Sequence, residues 1–120
     1  MNRTEVILYV ADQQRAASFY RTVLETAPSL DVPGMTELDL GGTTLGLMPA
    51  SDMAALVPGI DIGTGQRCEL YLRRPDAAEI LARVEPAGGR LLSPVAPRPW
   101  GEHVGYALDP DGHVLAVAVV

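Results

Sequence analysis

Two glutamates, Glu5 and Glu69, are the residues whose positions suggest chemistry. Each opens an alternating apolar segment and precedes a helix-capping aspartate, Asp12 or Asp76, by seven residues. In a mostly apolar cleft two carboxylates repel each other, so one of them would stay protonated near neutral pH. Such a pair could act as acid and base, or could attract a cationic ligand. A structural alternative is that each glutamate pairs with an arginine, with Arg73 the obvious candidate, or lies at a solvent-exposed end of its strand.

Strand parity predicts which side chains share a face with these glutamates, because residues i and i+2 of a strand point the same way. Most of them are apolar, aromatic or small, as in a concave ligand site with a few polar groups. Trp100, in a loop, could form a lip over this cleft or cap the edge of the core. On the two strands that the glutamates open, the candidate ligand-binding residues are Glu5, Ile7, Tyr9, Glu69, Tyr71 and Arg73, and Trp100 is added from the loop.

The elements that must position these residues begin with a strand over 5–10. Asp12 then caps a helix, in which apolar residues recur at helical spacing. Two further strands, about 35–40 and 43–48, are joined by Gly41-Gly42, a dipeptide suited to a tight hairpin. The helix stripe consists of Ala16, Phe19, Tyr20, Val23 and Leu24.

The second half of the chain repeats this order. A strand over 69–73 leads to a helix, which Asp76 and Glu79 open in the manner of a capping box and Gly88-Gly89 ends. Three strands follow, at 90–95, 104–108 and 114–119, and the Asp109-Pro110-Asp111-Gly112 turn joins the last two.

An internal repeat indicates a duplicated module in which neither copy buries its apolar face alone. The sequence therefore predicts a single α+β domain over 1–120, made of two βαβββ modules at about 1–50 and 67–120. The segment 51–66 is expected to link them, with a short helix near its start.

Composition narrows the partners. The chain has 120 residues and a net charge of −6, and its basic residues are scattered, which argues against nucleic acid. No apolar run approaches the length of a membrane span, so we expect no membrane partner and a cytoplasmic location. The single cysteine, Cys68, is expected to be a buried apolar thiol.

Two motifs resemble the vicinal oxygen chelate superfamily, which includes glyoxalase I, extradiol dioxygenases and the fosfomycin and bleomycin resistance proteins. The first motif joins Val10-Ala11-Asp12 to the helix segment 18–24, SFYRTVL. The second runs from Trp100-Gly101 to the closing segment 106–113, YALDPDGH. Both stand in the family's order around the repeat. The resemblance implies curved mixed sheets around a concave cleft, with the helices on the outer face. It also implies a homodimer, in which different chains sometimes contribute the halves of a cleft.

The resemblance also implies four positions at which many members bind a divalent metal, and these fall on Glu5, Gly46, Glu69 and Ala116. By strand parity, Thr44 and Met48 share the face of Gly46, and Val114 and Ala118 share the face of Ala116. The candidate ligand-binding residues therefore also include Gly46, Met48 and Ala116. Glycine and alanine have no side-chain donor, so two carboxylates would remain where such ions recruit more ligands. We therefore expect no metal and no other cofactor, with a divalent metal as the alternative. We also expect Gly46 and Ala116 to leave open volume in the cleft.

Three functions fit these observations. The first is a small-molecule binder without a metal, of the sequestration or resistance type, which the missing ligands favour. The second is a lyase, isomerase or dioxygenase that uses Glu5 and Glu69 as partial metal ligands or as acid and base. The third is an interaction module that binds no ligand, since a fold does not fix a function.

Overall fold

The structure is a computed structural model that describes residues 2–120. The first half of the chain forms Glu5–Val10 (β1), Gln13–Leu24 (α1), Leu30–Val32 (β2), Met35–Asp39 (β3), Thr44–Pro49 (β4) and Ala50–Leu56 (α2). The second half forms Glu69–Arg74 (β5), Ala77–Ala82 (α3), Arg90–Pro97 (β6), His103–Leu108 (β7) and Val114–Val119 (β8).

The strands form two separate four-stranded sheets with the same connectivity. Their strand orders are β1-β4-β3-β2 and β5-β8-β7-β6. In each sheet the first and last strands of the module pair in parallel and the other pairs are antiparallel. The predicted α+β fold, with two βαβββ modules and mixed sheets, is therefore confirmed. We call the unit of β1 to β4 module one and the unit of β5 to β8 module two.

One apolar core joins the two modules. Helix α1 packs on β3 and β4, helix α3 packs on β6, β7 and β8, and the two helices contact each other. The α1 stripe predicted from the sequence is buried, and it lies in the same cluster as Ile80, Val84, Leu115 and Val117 of module two. The helices therefore cover one face of each sheet and also connect the sheets.

Polar contacts reinforce this junction at the turn between β7 and β8. The carboxylate of Asp109, which is buried, accepts a hydrogen bond of 2.6 Å from the Tyr20 hydroxyl of α1. The Asp111 carboxylate accepts from the backbone N–H of Ala11 at 2.8 Å and from the Arg15 guanidinium at 3.2 Å. The turn of module two thus holds the start of the module-one helix.

Local expectations were met unevenly. Asp12 caps α1 through a 3.0 Å bond from the Arg15 N–H, as predicted. The capping box at Asp76 is wrong, because that side chain forms an ion pair with Arg74 and makes no capping hydrogen bond. Cys68 is exposed rather than buried, since the linker before β5 packs loosely at the surface.

Two further features complete the description of the elements. The short strand β2, paired with β3, was not located from the sequence, and it lies between Pro28 and Pro33. Across residues 2–120, none of the helices has both the length and the apolar character needed to cross a membrane.

Candidate functional site

Each sheet has a face turned away from the helices, which we call its open face. In module one, the register aligns Ile7 of β1 with Gly46 of β4, and Gly46 with Glu37 of β3. In module two, it aligns Tyr71, Ala116 and Tyr106 in the same way. The open faces carry the predicted sets, which are Glu5, Ile7, Tyr9, Thr44, Gly46 and Met48 in one module and Glu69, Tyr71, Arg73, Val114, Ala116 and Ala118 in the other.

The carboxyl group of Glu5 lies over Gly46. A Cβ atom added at position 46 would collide with Glu5 Oε2 and would touch Ile7 Cγ1 at 3.0 Å. The volume expected at this glycine is therefore filled by the Glu5 side chain. Gly46 provides the close approach that this carboxyl requires, as glycines in strands often do.

A second carboxyl, that of Glu37 on β3, is hydrogen-bonded to Glu5. Loss of solvation, followed by the hydrogen bond and the charge of Glu37, raises the pKa of Glu5, and Arg3 opposes the shift. Two close carboxyls share a proton more readily than they both ionise. A groove of about 300 Å³ surrounds the pair and is lined by Arg3, Thr4, Glu5, Glu37 and Thr44.

Glu69 takes no part in this acid pair. It is exposed at the start of β5, whereas the charged groups that act on Glu5 are Glu37 and Arg3 of module one. Within one chain the carboxyl beside Glu5 is that of Glu37, and a meeting of Glu5 with Glu69 across a two-chain cleft stays a prediction. The sequence repeat places the two glutamates at equivalent points of two sheets, and equivalence does not bring them together.

Module two presents a different cluster, built around Glu102. Its carboxylate accepts a 2.6 Å hydrogen bond from the Tyr71 hydroxyl and bonds of 2.9 and 3.3 Å from the Arg73 guanidinium. The Tyr71 oxygen in turn accepts a 3.0 Å bond from the indole N–H of Trp100. Arg73 thus pairs with Glu102, and the structural alternative that assigned it to Glu5 or Glu69 is wrong.

The electrostatics of this cluster follow from the same contacts. The hydrogen bond from Tyr71, then the bonds and charge of Arg73, lower the pKa of Glu102. Loss of solvation and the bond to Glu102 raise the pKa of Tyr71. Glu102 is therefore an ionised acceptor and Tyr71 a protonated donor at neutral pH. The indole ring of Trp100 remains 55% exposed beside them.

Ala116 forms the floor of the same face. It is fully buried in a small cluster with Val104 and Ala118, against which Tyr71 and Tyr106 pack. The open volume expected at Ala116 is thus covered by two tyrosine rings. Guanidinium groups stack on both rings, that of Arg73 at 4.9 Å from the Tyr71 centroid and that of Arg98 at 5.0 Å from the Tyr106 centroid.

Sequence reasoning missed three residues that matter here: Glu37, Glu102 and Tyr106. Glu37 and Tyr106 lie on antiparallel strands within the predicted boundaries, so parity could have added them to the list once the register was known. Glu102 carried no such signal. Its role depends on a loop that returns over β5, and the residues it joins are about thirty positions away.

The donor set does not fit a divalent metal. Of the four family positions, Gly46 and Ala116 lack donors, and the Glu5 carboxyl is turned onto Gly46 and Glu37. Within the described part of the chain, no three His, Cys, Asp or Glu side chains gather closely enough to hold an ion. The donors of this chain therefore fall short of the ligand set that a divalent metal requires.

Within one chain, the contacts made on the open face of module one are separate from those made on the open face of module two. The groove at Glu5 is lined by module one alone, and a second groove, of about 500 Å³, lies between α1 and β2. A further hydrogen bond links the two modules, between the His113 ring nitrogen and the Tyr9 carbonyl oxygen, which are 2.8 Å apart. The larger groove is lined by Gln13, Gln14, Ala17, Arg21, Asp31, Val32 and Pro33.

Comparison with known proteins shows which family has this architecture. The model of the Glyoxalase/Bleomycin resistance protein/Dioxygenase superfamily matches residues 2–117. A search of curated proteins gave no match.

Solved structures share the fold over nearly the whole chain. A glyoxalase-related enzyme from Fulvimarina pelagi is 24% identical, with a TM-score of 0.85, over 99% of this chain and 88% of that one. A glyoxalase/bleomycin resistance protein/dioxygenase family enzyme from Burkholderia phytofirmans PsJN is 18% identical, with a TM-score of 0.87, over 98% and 97%. TioX from Micromonospora sp. ML1 is 21% identical, with a TM-score of 0.76, over 99% and 98%. At these identities the likeness concerns the fold.

Proposed function

Since the chain belongs to the glyoxalase/bleomycin resistance protein/dioxygenase superfamily, we propose that it binds a small organic molecule between open sheet faces and needs no metal to do so. The observation that carries the proposal is the aromatic surface of module two, where Trp100 is 55% exposed beside Tyr71, and Tyr71 and Tyr106 pack on the same small apolar cluster. Exposed aromatic rings on a scaffold held by hydrogen bonds are typical of ligand sites.

The proposal includes a homodimer in which module one of one chain faces module two of its partner. Module one exposes Ile7, Leu30 and Val32 on or beside its open face, at 41, 39 and 45%. Leaving such a surface in water is unfavourable, and a second copy would cover it.

The ligand is proposed to be planar, aromatic and cationic. The aromatic side chains of module two offer stacking surfaces, whereas Glu5 and Glu37 offer negative charge that no arginine neutralises by a direct ion pair among the described residues. A protonated amine that reached the pair would displace the shared proton to solvent and donate hydrogen bonds to both carboxylates. The single cysteine is in keeping with a cytoplasmic setting.

Three anthracene probes of matched shape test this proposal. They are 9-aminomethylanthracene, 9-hydroxymethylanthracene and anthracene-9-carboxylate, which are cationic, neutral and anionic, and their binding is followed by the anisotropy of anthracene emission. The cation is expected to bind roughly tenfold more tightly than the neutral probe, the scale of one charge-assisted hydrogen bond. Saturable binding of none of the three, or preference for the anion, would contradict the proposal.

Variants test separately what the aromatic half and the acidic half of the proposed site contribute to binding. Trp100→Ala is expected to weaken all three probes, because it removes the stacking surface. Replacing Glu5 and Glu37 together by Gln keeps size and hydrogen bonding, so it should abolish only the preference for the cation. Glu79→Gln, an exposed glutamate on α3, serves as the matched control.

An enzymatic function is the second candidate, and the raised pKa of Glu5 favours it. A raised pKa brings a carboxyl closer to the protonated state from which a general acid acts. The two candidates differ in what happens to a bound molecule. Mass spectrometry of each probe after prolonged incubation should recover it unchanged if the protein only binds, whereas a product that disappears in Glu5→Gln would favour catalysis.

A further inference from the structure

Glu102 lies at the end of the hairpin between β6 and β7, the hairpin that carries Trp100. Its backbone carbonyl accepts a 2.8 Å hydrogen bond from the Arg98 N–H, and the Gly101 N–H donates to the Arg98 carbonyl at 3.0 Å. Gly101 takes a positive φ of 95°, which glycine adopts without strain. The turn 98–102 is therefore closed by its own backbone.

The Arg98 side chain fixes the other side of the turn. Its guanidinium donates to the Val104 carbonyl at 3.1 and 2.9 Å and to the Ser93 hydroxyl at 2.8 Å. These bonds tie the turn to both strands of the hairpin. The backbone that carries Trp100 is thus well held, and the orientation of the indole depends on its own side-chain contact with Tyr71.

Hydrogen-bond direction in this cluster is determined by Glu102. An ionised carboxylate only accepts, so the single proton of the Tyr71 hydroxyl points to Glu102. The tyrosine oxygen is then free to accept from the Trp100 N–H, which can only donate. Each step requires the one before it, and the series begins at Glu102. Arg73 fixes the carboxylate through two of its nitrogens.

We propose that Glu102 is a positioning residue, which holds Trp100 through Tyr71 as a preformed stacking wall. This inference rests on the proposed function and specifies the ligand further. The indole N–H is already used, so the wall offers a ligand its ring face and no hydrogen bond. The favoured ligand therefore stacks on Trp100 through a flat, unsubstituted aromatic surface and places its polar groups elsewhere.

The fluorescence of Trp100, the only tryptophan of the chain, reports on this wall directly. In Tyr71→Phe the indole N–H loses its hydrogen-bond acceptor. In Glu102→Ala that acceptor, the Tyr71 hydroxyl, is no longer oriented. Acrylamide quenching should then rise by up to about twofold, since the ring is 55% exposed in the wall and becomes fully exposed on release. The anisotropy of tryptophan emission should fall. Glu79→Gln should change neither quantity.

Glu102→Gln tests the direction of the bonds with little change in size. The NH2 group of the new amide faces either Tyr71 or Arg73, and both of these donate hydrogen bonds to Glu102. A donor then faces a donor, so the wall should loosen in this variant too. Circular dichroism melts show whether each variant is folded. In folded variants, the Kd of 9-hydroxymethylanthracene is expected to rise about fivefold or more, because a mobile indole must be ordered on binding.

The outcomes separate this inference from the proposed function. If Trp100→Ala loses the probe but Glu102→Ala and Glu102→Gln keep both normal quenching and normal Kd, Glu102 does not position the wall and the proposed function stands. If the wild-type protein binds no probe, the proposed function fails, and the proposed wall fails with it. Looser Trp100 together with weaker probe binding in both Glu102 variants supports the inference.

Discussion

At the scale of single residues, the Glu5 carboxyl lies where a side chain at position 46 would have to be. Any larger residue at Gly46 would push the carboxyl aside, away from Glu37. The glycine therefore does more than remove a family metal ligand. It allows a side chain on β1 to approach one on β3 across the intervening strand β4.

The acid pair predicts a pH-dependent stability. A carboxyl whose pKa is raised in the folded protein contributes stability that is complete below its unfolded pKa of 4.5 and is lost as pH rises through the folded value. Glu5→Gln removes this loss, so the variant should be more stable than wild type at pH 7, by roughly 0.2–1 kcal/mol, the range of cross-strand charge pairs. Urea unfolding at pH 4 and pH 7 measures it.

Two comparisons make this prediction specific. The advantage of Glu5→Gln should shrink toward pH 4, where the wild-type carboxyl is protonated and resembles the amide. Glu79→Gln, on the exposed side of α3, should show no such trend. A Glu5→Gln protein that is less stable than wild type at pH 7 would mean that Arg3 outweighs Glu37 as the partner of Glu5.

Strand parity predicted the face of Glu5, Tyr71 and Arg73, because alternation is a property of each strand alone. It could not predict their partners. Glu37 reaches Glu5 only through the register of three strands, and Glu102 reaches Tyr71 only through the path of a loop. Residue type and spacing thus identified Glu5 of the acid pair and Tyr71, Arg73 and Trp100 of the second cluster. Tertiary geometry supplied Glu37 and Glu102.

At the scale of elements, the turn between β7 and β8 does more than connect two strands. Asp109 accepts hydrogen bonds from the backbone of Asp111 and His113 at 2.9 Å, and its second oxygen accepts from Tyr20 of α1. Burial and the neighbouring Asp109 carboxylate raise the pKa of Tyr20 well above its usual value. The tyrosine is therefore a permanent donor to the turn.

Tyr20→Phe should consequently destabilise the fold. The substitution leaves one oxygen of a buried carboxylate without its donor, which costs about 1–3 kcal/mol or more. Urea unfolding of the variant gives the loss directly. Tyr106→Phe is the control, since the Tyr106 hydroxyl makes no hydrogen bond with the residues described, and it should unfold close to wild type. Equal stability of the two variants would show that water replaces the hydroxyl of Tyr20.

The boundaries of the elements were predictable to different degrees. Strand β1 begins and ends where the alternation does, and α1 follows its capping aspartate. The start of α3 at Asp76 was predicted, but the capping hydrogen bond is absent because the Asp76 side chain binds Arg74, two residues away. Strand β2 has three residues, too few to show alternation, and its pairing with β3 identifies it.

At the scale of the whole molecule, the way the modules pack determines where a ligand site can form. Helices α1 and α3 meet in a common core, and the β7–β8 turn is tied to α1. These contacts use the helix-bearing sides of the sheets. The acid pair and the aromatic wall belong to different sheets, and the polar contacts of each remain within its own module.

A mixing experiment tests whether two chains complete one site. One variant carries Glu5→Gln and Glu37→Gln, and the other carries Trp100→Ala, so each homodimer has a lesion in every site. If module one of each chain faces module two of its partner, a heterodimer contains one doubly altered site and one intact site. Random exchange between equal amounts then restores about one quarter of the wild-type sites.

The readout is binding of 9-aminomethylanthracene at a concentration that only intact sites retain. Light scattering must first show a dimer, and subunits are exchanged by mild urea followed by dialysis, with each variant treated alone as the control. Recovery of about one quarter of the wild-type signal is expected from the mixture and none from either variant alone. If each chain instead formed its own cleft, mixing would leave every site with its original lesion. The signal of the mixture would then equal the mean of the two variants, and the facing of module one by the partner's module two would be disproved.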